Sequence, residues 1–187
     1  ELDNILSKSV KDQMIADVPI GAFLSGGIDS SLISSIMQKH SSKPINTFSI
    51  GFEDDYYNEA KFAKEVACHI GTEHNELYVK PTDVMNLIPR LPLIYDEPFS
   101  DSSQLPSYLL SQMAQKKVKV ALSGDGGDEL FGGYNRHFWV RKIWSRIKIF
   151  PNLLRIMSSN IINGVSINTW DKIYNILLTI TPQTANI

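Results

Sequence analysis

Two short stretches of this sequence carry residue types suited to holding a chain of phosphates. The first is SGGIDSS at 25–31, where Ser25, Gly26, Gly27, Asp29, Ser30 and Ser31 stand between the apolar run VPIGAFL and a second apolar pattern. Glycines without Cβ reach positive φ and let a ligand approach the backbone. The N–H groups and the dipole at a helix start favour an anion, and three serines add hydroxyl donors. The loop has no lysine for a G-x-x-x-x-G-K-[ST] pattern and does not spell G-x-G-x-x-G. Asp29 would repel phosphates unless a cation lay between them. Mg2+ meets that condition, because it takes oxygens from one or two carboxylates together with phosphates. The competing reading, a helix cap and turn, requires neither two glycines nor three hydroxyls.

The second stretch, ALSGDGGDELFGGYNRH at 121–137, repeats the small-residue theme in Ser123, Gly124, Gly126 and Gly127 and adds Asp125, Asp128 and Glu129. A helix starting near 126 would put Asp128 and Glu129 in its first turn, where acids are tolerated, so acidic N-capping competes here. Both stretches, however, follow predicted parallel strands. Ligands of open parallel sheets bind at the carboxyl ends of the strands. If these two strands are neighbours, the carboxylates of both loops can share one Mg2+.

The surrounding pattern supplies such strands. Leu2, Ile5, Leu6 and Val10 predict a helix over 2–15, and VPIGAFL (18–24) a buried strand. Leu32, Ile33, Ile36 and Met37 predict a helix over 30–40, and INTFSIGF (45–52) a second strand. Asn58 is the expected cap of a helix over 59–70 with Phe62, Val66 and Ile70 on one face and Gly71 at its end. HNELYVK (74–80) reads as strand three. A helix over 82–90, a loop over 95–103, a helix over 104–116 and a buried strand VKVALSG (118–124) follow. This alternation predicts a three-layer α/β domain, a mainly parallel sheet with helices on both faces. Beyond 138, Trp139, Ile143, Trp144, Ile147, Ile149, Leu153, Leu154, Ile156 and Met157 recur at helical spacing among Arg141, Lys142, Arg146 and Lys148. They predict a helical appendage whose apolar stripe serves core or inter-domain packing rather than a ligand or a membrane. The expected organisation is a nucleotide-binding core over 1–137 and an incomplete helical extension over 138–187.

The 187 residues carry a net charge of −2, which argues against a strong grip on nucleic acid or anionic lipid. No uncharged apolar run approaches the ~20 residues needed to cross a bilayer, and the N-terminal residues show no signal-peptide pattern. One cysteine, Cys68, leaves no internal disulfide and fits a reducing cytosol. His40, His69, His74 and His137 lack metal-ligand spacing and read as surface or packing residues. With no initial Met and no clear closing element in TITPQTANI, the chain is expected to be a piece of a longer protein.

SGGIDSS resembles the SGGxDS pyrophosphate loop of the PP-loop ATP pyrophosphatases, a signature of that ATP-using superfamily alone. FSIGFEDDYYNEAKFAKEVACHIGTEHNE, YDEPFSDSSQLPSYLLSQMA and LSGDGGDELFGGYNR together resemble the synthetase domain of class B, glutamine-dependent asparagine synthetases, over about residues 1–140. The resemblance implies an adenine nucleotide alpha hydrolase-like fold. It also implies that a carboxylate of aspartate attacks the α-phosphorus of ATP, giving an acyl-adenylate and pyrophosphate, and that ammonia then displaces AMP. Ser25, Gly26, Gly27, Asp29 and Ser30 would hold the pyrophosphate, and Mg2+ would lie between the phosphates and Asp29 with Asp128. Phe23, Ile50, Ser123 and Gly124 would line the adenosine site. Asp125, at a position the family fills with glutamate or aspartate, would handle the proton of the incoming ammonia.

Asp96 and Glu97 stand where the family has acids near the substrate, against the alternative of a solvated loop, and Ser102 and Ser103 are further candidates. Arg136 could meet a phosphate or a surface acid. The resemblance further implies ammonia from a glutaminase domain outside this chain, since mid-helix Cys68 cannot replace that domain's N-terminal cysteine. A family lysine directed at the α-phosphate would lie beyond residue 187. A cytoplasmic homodimer, without nucleic acid or membrane partners, completes the expectation. Two rivals stay open: amidation of another carboxylate, such as a sugar acid or a β-lactam precursor, and an ATP-binding module without catalysis of its own.

Overall fold

The computed structural model describes residues 1–52, 58–97 and 100–180, without the side chains of 173 and 176–180. The acidic run after Phe52, part of the predicted 95–103 loop and the closing tail lie outside the described residues. The chain forms two compact units, Glu1–Gly132 and Gly133–Ile187.

The described residues of the first unit form four strands: β1 (Ile20–Phe23), β2 (Asn46–Phe52), β3 (Glu73–Val79) and β4 (Val120–Leu122). All pair in parallel in the order β3-β2-β1-β4, with Phe23 beside Phe48, Ile50 beside Leu77, and Ala22 beside Leu122. Parallel neighbours need long crossovers, usually helical, and α2 (Ile28–His40) and α3 (Ala60–Ile70) supply the first two. From β1 the chain builds outward through β2 to β3. It then returns by α4 (Pro81–Leu87), a 3-10 turn (Ile88–Arg90), α5 (Leu91–Ile94) and α6 (Gln104–Ala114) to place β4 on the other side of β1. The strand order therefore reverses between β1 and β4, and their carboxyl ends flank the switch-point crevice where such sheets bind ligands.

Helices cover both faces, as the alternation predicts. On one face Val10 of α1 (Leu2–Gln13), Ala22, Ile36, Met37 and Ile45 form a core with Leu6, Ile20 and Leu122 around it. On the other, Phe48 packs with Ala114 and Val118, and Phe23, Leu110 and Met113 close around them.

Several expectations are corrected. The buried face of α3 is Ala60, Ala63 and Ala67, whereas Phe62 is 62% exposed. Small side chains let the helix lie close to the sheet, and bulkier ones would hold it off. Asn58 does accept the Ala60 N–H at 3.2 Å, and Gly71 ends α3 at φ +80°. Leu32 faces outward from α2. The predicted helix over 82–90 is broken into α4, the 3-10 turn and α5, with Pro89 in the turn and Pro92 opening α5. β4 is three residues long, and Val120 is 41% exposed, because β4 is an edge strand with one neighbour.

The second unit contains α8 (Asn135–Ile147), α9 (Asn152–Gly164) and α10 (Ile167–Ile180), following the short α7 (Gly127–Phe131) of the first. No residue of α8 or α9 is buried, and Trp139, Ile143, Trp144, Leu153 and Met157 are exposed. The packing role expected of this stripe is not met inside the unit.

A polar cluster crosses β2 and β3. Thr47 Oγ1 lies 2.8 Å from Thr72 Oγ1 and 2.9 Å from His74 Nδ1, while Ser49 Oγ lies 3.2 Å from His74 Nε2. Burial pushes the His74 pKa below its ordinary 6.5, opposed by the Glu76 carboxylate and assisted by Lys64. Between the lowered value and 6.5 the unfolded chain binds more protons than the folded one. Stability contributed by neutral His74 is therefore complete above about pH 6.5 and falls with pH below it. Denaturant midpoints from pH 5 to 7.5 are expected to fall more steeply on acidification than those of His74→Gln, which cannot take up the proton. Parallel curves would refute this.

Candidate functional site

β1 runs directly into the first loop. Leu24 is buried and donates its N–H to Phe48 O at 2.9 Å, so the turn begins from a fixed point. Gly26 follows at φ +83°, and a Cβ there would come within 2.7 Å of the Ala63 nitrogen and of Phe62 Cβ. The loop thus seats on the backbone of α3. Gly27 is the N-cap residue of α2, and no side chain caps that first turn. The helix therefore starts on a glycine cap, with no side chain bonded to its first turn. The serines are occupied elsewhere: Ser25 and Ser30 hydroxyls lie 2.9 Å apart, Gly27 N donates to Ser25 Oγ at 3.3 Å, and Ser30 Oγ donates to Gly27 O at 3.3 Å. These bonds hold the loop open from within and leave the first-turn N–H groups of α2 for an anion. Ser31 departs from the expectation that it faces a ligand: its Oγ is buried and lacks a partner among the described residues.

β4 opens into the second loop in the same direction. The Ser123 hydroxyl donates to Asp125 Oδ2 at 2.9 Å, and Asp125 N donates back to Ser123 Oγ at 3.4 Å. Gly126 turns the chain at φ +93°, and α7 begins with Asp128 and Glu129 in its first turn. Asp125 and Asp128 are exposed, while Asp29 is half-buried.

The two loops touch. A Cβ on Gly124 would stand 2.7 Å from Ser30 N and 2.9 Å from the Asp29 carbonyl carbon, and a Cβ on Gly127 would overlap the Asp29 carboxylate. Asp29 and the residue preceding Asp128 are thus in contact across the switch point. Among the described residues no hydrogen bond or ion pair engages the Asp29 carboxylate, and no three His, Cys, Asp or Glu side chains cluster as metal ligands. An unpaired carboxylate in the first turn of α2 has the donor chemistry that Mg2+ takes, since the ion needs few protein oxygens when phosphates supply the rest. Asp29 and Asp128 are the residues that would hold it.

Phe23 ends β1 on the α6 face of the sheet, and Ile50, two positions beyond Phe48 on β2, shares that face. Ser123 and Gly124, half-buried, end β4. A cavity of about 350 Å3 between α6 and β4 includes Phe23, Tyr108 and Val118 in its wall but no residue of either loop. Asp96, Glu97, Ser102 and Ser103 are exposed. Ser103 is tied locally, since its hydroxyl first and its N–H second hold the Asp101 carboxyl below the usual range. Arg136 lies 4.3 Å from the Tyr134 ring centroid within the second unit. His40 meets the Ser7 hydroxyl at 2.7 Å, and His74 is the packing residue expected of it. Residue types place Gly127 in the small-residue theme but do not show its approach to the Asp29 carboxylate, since a glycine among glycines carries no local signal of what its missing Cβ makes room for.

A family profile for asparagine synthase matches residues 1–179. The chain is 43% identical over 168 residues to the putative asparagine synthetase (glutamine-hydrolyzing) 2 of Methanocaldococcus jannaschii, covering 87% of this chain and 32% of that protein. It is 44% identical over 136 residues to asparagine synthetase (glutamine-hydrolyzing) 1 of Bacillus subtilis, covering 72% of this chain and 21% of that one. It therefore spans about a third or less of the length of these relatives. The NMN synthetase of Francisella tularensis superposes with a TM-score of 0.50 at 20% identity, over 71% of this chain and 56% of the other, and shares the fold.

Proposed function

This chain belongs to the asparagine synthase family, and from that premise we propose that it is the ATP-using part of an amide-forming ligase. Residues 1–137 are the nucleotide-binding core, and 138–187 are a helical extension. The side-chain carboxylate of aspartate attacks the α-phosphorus of ATP, the bond to the β,γ-phosphates breaks, and pyrophosphate leaves. Ammonia then attacks the acyl carbon, AMP leaves, and asparagine forms. The nitrogen comes from a glutaminase domain outside these residues, and the reaction runs in the cytoplasm.

The first-turn N–H groups of α2 receive the pyrophosphate, with Gly26 and Gly27 admitting it and Ser25 and Ser30 bracing the loop. Phe23, Ile50, Ser123 and Gly124 border the adenosine. Asp29 and Asp128 would hold Mg2+, which would supply neutralisation of the phosphate charge there. Asp125, its Oδ2 fixed by the Ser123 hydroxyl, takes the proton from the attacking nitrogen.

The observation that carries this reading is the contact of the two glycine-and-acid loops at the reversal of strand order. The intact protein given aspartate, ammonia and Mg-ATP is expected to release AMP and pyrophosphate in equal amounts. ADP and phosphate would overturn the reading. AMP formed only with a sugar acid would move the acceptor to another carboxylate. Thermal protection by ATP without AMP from any acceptor would leave a binding module.

A further inference from the structure

Gly124, Gly126 and Gly127 sit within four residues of one another, yet the structure separates what each glycine is for. Gly126 adopts φ +93°, and a Cβ on it would meet nothing within 4 Å. Its requirement is conformational. Gly124 and Gly127 are not among the positive-φ glycines, so any L-residue could adopt their backbone. Their requirement is space. At Gly124 that space holds the backbone of α2, at Ser30 N and the Asp29 carbonyl carbon. At Gly127 the nearest atoms are the end of a side chain, the Asp29 carboxylate.

We propose that Gly127 is a positioning residue, whose bare Cα is the seat that sets where the Asp29 carboxylate points. The inference rests on the reading of Asp29 as a Mg2+ ligand. A Cβ at 127 overlaps atoms that can rotate away, so Gly127→Ala folds, but the carboxylate swings off the second loop and away from Asp128. A Cβ at 124 overlaps backbone, so Gly124→Ala disturbs the unit itself. Gly127 thus adjusts the metal-binding carboxylate from the neighbouring loop without touching nucleotide or metal.

The test is equilibrium binding of a fluorescently labelled ATP to the intact protein, titrated with Mg2+ alone, next to thermal unfolding. Gly127→Ala is expected to raise the half-saturating Mg2+ concentration at least tenfold with little change in unfolding midpoint. Gly126→Ala is expected to lower the midpoint and keep the Mg2+ dependence. In the double variant with Asp29→Asn, the alanine at 127 is expected to add nothing to the Mg2+ shift, because it acts through that carboxylate. Additive shifts, unchanged Mg2+ dependence in Gly127→Ala, an equal shift in Gly126→Ala, or failure of Gly127→Ala to fold would each overturn the proposal. If Asp29→Asn leaves the Mg2+ dependence intact, the ligand reading itself fails. If Asp29→Asn loses that dependence while Gly127→Ala keeps it, only the positioning role fails.

Discussion

Asp29→Asn is expected to lower Mg2+-dependent release of AMP and pyrophosphate by about 10²–10³-fold, the scale of removing one preorganised electrostatic group at developing charge, with the fold intact. The structure separates the two effects. Asp29 lies in the first turn of α2, half-buried, and its carboxylate engages no hydrogen-bond or ion-pair partner among the described residues. Folding stability therefore draws little from its charge. Asn keeps the shape that sits against Gly127 and gives up only the negative oxygen. Product formation and thermal unfolding measured on one preparation decide the matter. Near-normal turnover would remove the metal bridge from the mechanism, and a large fall in unfolding midpoint would make Asp29 a structural residue instead.

Gly26→Ala is expected to destabilise the first unit by about 2–5 kcal/mol. Left-handed backbone costs a residue with Cβ roughly 1–2 kcal/mol, and overpacking against atoms that cannot move adds about 1–3 kcal/mol. Both terms apply: Gly26 sits at φ +83°, and its Cβ would press on the Ala63 nitrogen and Phe62 Cβ. Against a total stability of roughly 5–15 kcal/mol, that is a large share. The neighbouring Gly27 is the control. It has φ −69°, and a Cβ there would meet only Ser25 Oγ, at 3.3 Å, so Gly27→Ala should cost within about 1 kcal/mol. Denaturant midpoints for the two variants test this, and equal midpoints would mean that the seat on α3 does not constrain the loop.

The contrast between Gly26 and Phe62 also shows where sequence reading stopped. Periodicity located α3, and Asn58 and Gly71 marked its ends. Hydropathy then assigned the inward face to Phe62, Val66 and Ile70, because large apolar side chains dominate any such ranking. Val66 does pack beside that core, but the fully buried residues are alanines, since what matters there is how closely two backbones approach, and no ranking of side chains records a distance. Val120 failed similarly: an apolar run marks a strand but not whether it has one neighbour or two. Residue type makes Ser31 a donor, and only the helical rotation of α2 turns its hydroxyl inward.

What the amino-acid order determined unaided is local: the period of each element, the caps and turns, and two loops whose side chains suit phosphate and a hard cation. These follow from short-range sterics and hydrogen bonding, which act within a few residues. The tertiary structure alone decided that β4 returns to lie beside β1, which brings Asp29 against Gly127 across nearly a hundred residues. Strands pair through backbone groups that every residue carries alike, so the order in which they pair is settled by packing of the whole sheet rather than by any stretch of it.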